Sequence, residues 1–127
     1  MSIDHISVAV KDLDKSAAFY DVVFDVLGMR RIADREGTIG YGKRYPEFWL
    51  NARPDMDAVS VNTGSHICLR AGSEELVSKF YKAALNHGGA DDGAPAPRKG
   101  ELTDYFGAFV KDPDGNKIEV VTFPVPE

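Results

Sequence analysis

The 127-residue chain has a single cysteine, Cys68, so no disulfide can close within it, and a reducing compartment, the cytoplasm, is its expected location. Basic runs are missing too. Lys and Arg never stand more than two together and the formal net charge is −5, which argues against a nucleic-acid or anionic-membrane surface. The opening MSIDHISVAV lacks the basic start and apolar core of a signal peptide, and no apolar run approaches the roughly 20 residues of a membrane span. There is no glycine-rich phosphate loop, no CxxC pair and no strand–Ser–helix nucleophile elbow. The 43% hydrophobic and 28% charged residues that remain are enough for one ordinary domain with a packed core.

What the chain does have is a repeat. In IDHISVAV, Ile6, Val8 and Val10 form one apolar face and His5 lies on the other; in GSHICLR, Ile67 and Leu69 alternate with His66 and Cys68. The two histidines are 61 positions apart, and the same offset sets Ile6 on Ile67, Phe19-Tyr20 on Phe80-Tyr81, and Gly28 on Gly89. Two copies of one module follow, about residues 1–60 and 61–127 within a single domain, with Arg53–Thr63 as the linker. In the first copy Asp12 is the predicted N-cap of a helix over Leu13–Leu27 that Gly28 ends; in the second, Ser73 caps a helix that Gly88-Gly89 stops. Strands are predicted at Met29–Arg35, Thr38–Gly42, Glu47–Ala52, Tyr105–Lys111 and Lys117–Phe123, the last two joined by the turn DPDGN. The stretch DDGAPAPRKG has little strand character, and Arg98-Lys99 within it reads as a solvated loop, with an anion clamp or a lid edge as the alternatives. The plan is strand–helix–strand–strand–strand, twice: an α+β fold of two tandem βαβββ modules whose curved mixed sheets surround a cleft.

Side-chain parity then carries the functional reading. If each helix covers the Ile6/Val8, Ile67/Leu69 and Ile118/Val120 faces, His5, His66 and Glu119 all look the other way, onto the concave side. Two imidazoles and a carboxylate are the ligand set of one divalent metal ion per chain, among which Zn, Fe, Ni, Mn and Co are not distinguished. Three protein ligands leave positions open for substrate. His87, at a helix end, has no ligand role, and Cys68 is read as a cavity-wall residue beside His66. Trp49, Tyr41, Tyr105 and Phe123 are candidates for an aromatic lining.

DHISVAVKDLDKSAAFY, GSHICLR and FVKDPDGNKIEVV together resemble the vicinal oxygen chelate superfamily, which includes glyoxalase I, extradiol dioxygenases, methylmalonyl-CoA epimerase, and fosfomycin and bleomycin resistance proteins. The resemblance spans nearly the whole chain. It implies paired βαβββ modules around a metal-centred cleft, with His5, His66 and Glu119 at the metal-ligand positions and Glu119 and Tyr105 as catalytic candidates. It also implies a homodimer acting on a small oxygenated molecule that chelates the metal through two oxygens. Dioxygenase, isomerase, epimerase and lyase chemistry all stay open, as does a metal-independent binding or resistance protein. In glyoxalase I, which this chain resembles around GYGKRYPEFWLNA, a fourth ligand is a glutamate on the last strand of module one. The repeat sets Phe48-Trp49-Leu50 against Ile118-Glu119-Val120, so that position here is Trp49; Glu47, two residues earlier, shares its parity. The expectation is a site lacking the glyoxalase base.

Overall fold

The Asp12 carboxylate accepts the Lys15 backbone N–H and starts a helix, as its place after an apolar strand requires. Ser73 does the same for Leu76. The structure, a computed structural model, describes residues 2–60 and 63–124. In chain order its elements are β1 (Ile6–Val10), α1 (Leu13–Val26), β2 (Arg30–Arg35), β3 (Thr38–Gly42), β4 (Phe48–Ala52), β5 (Ile67–Arg70), α2 (Glu74–Asn86), β6 (Ala90–Arg98), β7 (Tyr105–Lys111) and β8 (Lys117–Thr122). The βαβββ plan therefore holds twice. The two histidines stand one residue ahead of β1 and β5. None of the helices described is long and apolar enough to cross a membrane.

Each module makes its own mixed sheet. The orders are β1-β4-β3-β2 and β5-β8-β7-β6, with β1–β4 and β5–β8 parallel and the remaining pairs antiparallel. α1 covers β2, β3 and β4, α2 covers β6, β7 and β8, and the two helices pack on each other. Val8, Val10, Phe48, Leu50, Ile118 and Val120 are buried beneath them, as parity predicts. The opposite face of each sheet is left without a helix. β1 and β5 are both sheet edges, and they do not pair with each other.

One expectation is corrected. The stretch 91–100, read from its prolines and glycines as poor in strand character, supplies all but the first residue of the nine-residue strand β6. It is tolerated because β6 is an edge strand, where the outward N–H groups need no partner, and because its register to β7 breaks at Asp91/Gly93 and at Gly93/Ala96. Arg98 is consequently the last residue of a strand, paired with Tyr105, and not part of a solvated loop.

The turn between β7 and β8 locks module two to module one. Asp112, 3% exposed, accepts hydrogen bonds from the Tyr20 hydroxyl at 2.6 Å, the Asn116 amide at 2.9 Å, and the backbone N–H groups of Asp114 and Asn116 at 2.9 and 2.8 Å. Asp114 accepts from the Lys11 N–H and the Ser16 hydroxyl, and Asn116 donates to the Ala9 carbonyl. Burial, only partly offset by these donors, raises the Asp112 carboxyl above its ordinary 3.8. The native state thus holds that proton more tightly than the unfolded chain, and the group costs stability as pH rises from 3.8 through its folded value. Burial, then the charge of Asp112, pushes the Tyr20 phenol well up, so it stays a donor.

Tyr20→Phe should lower unfolding stability by about 1.5–3 kcal/mol, the range for a hydrogen bond to a charged group. A urea titration reads this as a lower midpoint at constant slope; an unchanged midpoint would show that the latch contributes nothing.

Candidate metal and substrate site

His66 and Glu119 come together on the helix-free face of the second sheet. Glu119 is paired with Cys68 on β5 and with Phe109 on β7, and its carboxylate is 6% exposed. His66 Nε2 lies 3.0 Å from Glu119 Oε1, and Nδ1 lies 2.9 Å from the Gly64 carbonyl oxygen. Both ring nitrogens face oxygens, and Nε2 with Glu119 Oε1 would offer a divalent cation one nitrogen and one oxygen. The donor chemistry fits such a cation. Tyr105 and Cys68 line the same cavity as Glu119. Burial first, then the Glu119 charge, raises the Tyr105 phenol and pushes the Cys68 thiol up to about 12. Cys68 thus stays a thiol at neutral pH.

His5 is on the other module. Its Nδ1 lies 2.6 Å from Asp4 Oδ1, to which the Tyr45 hydroxyl also donates at 3.1 Å, and Nε2 has no hydrogen-bond partner among the described residues. Among the described residues no three His, Cys, Asp or Glu side chains gather closely enough to hold a metal. The structure therefore joins His66 to Glu119 and leaves His5 apart within one chain.

The registers test the repeat alignment. Ser7 pairs with Trp49 as Cys68 pairs with Glu119, and Ile6 pairs with Phe48 as Ile67 pairs with Ile118. Trp49 occupies in module one the place Glu119 holds in module two. Its ring lies over Gly40, where an added Cβ would come within 3.0 Å of the indole. Arg35 stacks 6.0 Å from the ring centroid. Glu47 precedes β4, is exposed, and accepts the Ile6 N–H through its backbone carbonyl.

The aromatic lining needs one correction. Tyr41 is fully buried beneath α1, with its hydroxyl donating to Asp21 at 2.7 Å, because it shares the core parity of Ile39 and Phe48. Tyr105 and Phe123 do reach the open face, where with Cys68, Glu119, Val121 and the 100–103 loop they line a cavity of about 360 Å³. Two neighbours missed from sequence are Phe109 and Lys117. The signal was parity, since both belong to the Glu119 face once β7 and β8 are drawn. His87 caps α2, donating to the Ala83 carbonyl, and lies outside the site.

Comparison with known proteins agrees with this architecture. The model of the Glyoxalase/Bleomycin resistance protein/Dioxygenase superfamily matches residues 2–120. The chain is 32% identical to a Synechocystis protein named "Probable lactoylglutathione lyase", over 95% of each chain. It is 27% identical to the metallothiol transferase FosB of Shouchella clausii, over 94% of this chain and 79% of the relative. A crystal structure of a glyoxalase/bleomycin resistance protein from Albidiferax ferrireducens superposes with a TM-score of 0.84 at 28% identity, covering 96% of this chain and 99% of the other.

Cys68 should resist alkylation despite its exposure. At pH 8 iodoacetamide should modify it at least roughly 100-fold more slowly than an unperturbed thiol, because so little thiolate is present. Glu119→Gln, which removes the adjacent charge, should speed the reaction; an ordinary wild-type rate, or no change in the variant, would contradict the assignment.

Proposed function

We propose that this chain, which belongs to the Glyoxalase/Bleomycin resistance protein/Dioxygenase superfamily, is a metal-dependent enzyme acting on a small oxygenated molecule, and that two copies of it build each reaction centre. His5 of one copy joins His66 and Glu119 of the other around one divalent cation per chain. The observation that carries this reading is the 3.0 Å approach of His66 Nε2 to Glu119 Oε1, with no third ligand gathered there among the described residues of the same chain. The unpaired edges β1 and β5 are what a second copy would cover, and His5 and His66 stand at their starts.

The cation supplies Lewis-acid polarisation of two vicinal substrate oxygens when bound. The remaining work falls to side chains. Glu119 is a ligand and the nearest proton acceptor. Tyr105, kept protonated by burial and by Glu119, is the matching donor. Trp49, Cys68 and Phe123 wall the cleft, and Glu47 stands at its rim. Dioxygenase, isomerase, epimerase and lyase chemistries all use such a centre. The glyoxalase reaction is the one this centre serves least, because an indole stands where a carboxylate would act as base. The single cysteine suits a cytoplasmic setting.

Metal content tests the shared centre directly. Elemental analysis of the purified protein should find one divalent ion per chain, and His5→Ala or His66→Ala alone should lose most of it. Refolding the two variants together should restore about a quarter of the wild-type metal, since random pairing makes half of the dimers mixed and each mixed dimer regenerates one of its two centres. Full metal in His66→Ala, or no recovery on mixing, would defeat the proposal.

Glyoxalase activity gives the second test. Turnover of the methylglyoxal–glutathione adduct should be near background with Zn or Ni, since losing a general base costs on the order of 100- to 10,000-fold. Trp49→Glu should recover part of it. Turnover by the unmodified protein at an ordinary enzymatic rate would show that Glu47 takes the carboxylate's role.

A further inference from the structure

We infer that Arg98 is a prebuilt anchor for an anionic group, a carboxylate or phosphate, on the substrate of the proposed His66–Glu119 centre. The substrate is then a small anion whose charged end lies two strands away from its reacting oxygens. This deepens the proposed function and rests on it.

The guanidinium is held in place before any ligand arrives. Its Nε–H donates to the Gly107 carbonyl at 3.1 Å and its Nη2 to the Ala94 carbonyl at 2.8 Å. Its plane stacks over Phe109 with Cζ 5.1 Å from the ring centroid. Gly93 clears the space: a Cβ there would come within 3.1 Å of both Arg98 Nη2 and the Phe109 ring. Two backbone carbonyls and a ring thus fix a half-buried cation that has no carboxylate partner among the described residues. Nη1 is left without a protein acceptor among those residues.

Its neighbours sharpen the point. Lys117 lies over the same Phe109 ring, 4.8 Å from the centroid, but is paired with Asp92 at 3.4 Å. Arg98 is the cation of this pair without such neutralisation, in a chain whose net charge is −5. An unneutralised, immobilised guanidinium on the face that carries Glu119 presents a fork suited to carboxylate or phosphate oxygens. Adjacent strands are about 4.8 Å apart, so β6 lies roughly 10 Å across the sheet from β8. That separation is the spacing expected between the anchored anion and the oxygens at the metal.

The test follows the Arg98 Nε–H resonance in two-dimensional NMR of the purified wild-type protein, assigned by its loss in Arg98→Gln. Benzoate and phenyl phosphate are titrated, with benzamide as the neutral counterpart. At least one of the anions should shift this resonance, and benzamide should not; the responding anion names the oxyanion class. Arg98→Gln should weaken binding of that anion, read by fluorescence of Trp49, roughly 10- to 100-fold, and Arg98→Lys should be intermediate. The shift should persist in Glu119→Gln protein stripped of metal, which separates this inference from the metal proposal. No shift with either anion, an equal shift with benzamide, or unchanged anion affinity in Arg98→Gln would overturn it.

Discussion

The buried Asp112 carboxylate, gripped by the Tyr20 hydroxyl and by its own turn, sets how the two modules are joined, and the layout of the site follows from that joint. Through Asp114 and Asn116 the same turn holds the Lys11 N–H, the Ser16 hydroxyl and the Ala9 carbonyl, so the β7–β8 hairpin of module two is pinned to the end of β1 and the start of α1. Phe19 completes the contact by packing against Gly89, where any Cβ would collide with its ring at 2.7 Å. With the helices packed on each other, the modules meet through helices and turn, and the strands β1 and β5 are left as free edges. His5 stays on module one, and His66 with Glu119 on module two.

Within that frame the two modules differ at one strand pair. In module two the carboxylate of Glu119 is on β8 and the ring of Phe109 opposite it on β7; in module one the ring of Trp49 is on β4 and Gly40 opposite it on β3. Each module keeps one aromatic over the same patch of sheet, but from opposite strands. A glutamate at position 49 would leave the space above Gly40 empty, and a larger residue at 40 would strike the indole. The two positions therefore depend on each other.

Much of this was legible in the sequence because it depends on local rules. Caps at Asp12 and Ser73, glycines after both helices, and strict alternation in IDHISVAV and KIEVV specify elements and faces without knowledge of neighbours. The repeat of strand order carried more, since matching the last strands of the two modules set Trp49 against Glu119 before any register was known. Two readings failed for non-local reasons. Residues 90–98 have the composition of a loop, and only their place at a sheet edge makes a strand of them. Tyr41 has the chemistry of a cleft residue, and its parity against Phe48 and its bond to Asp21 bury it.

The sequence by itself determined the modules, their duplication, the face on which each candidate ligand lies, and the absence of a carboxylate at position 49. These rest on short-range periodicity and on backbone geometry that each residue type either permits or forbids. Tertiary structure decided the relations between distant residues. It brought His66 to Glu119 and left His5 apart, because the Asp112 turn and the α1–α2 packing fix the modules in an orientation no local pattern encodes. It also turned Arg98 from an apparent loop residue into a stacked, backbone-held cation, because Phe109, Gly93 and the Gly107 carbonyl are contributed by other positions in the sheet.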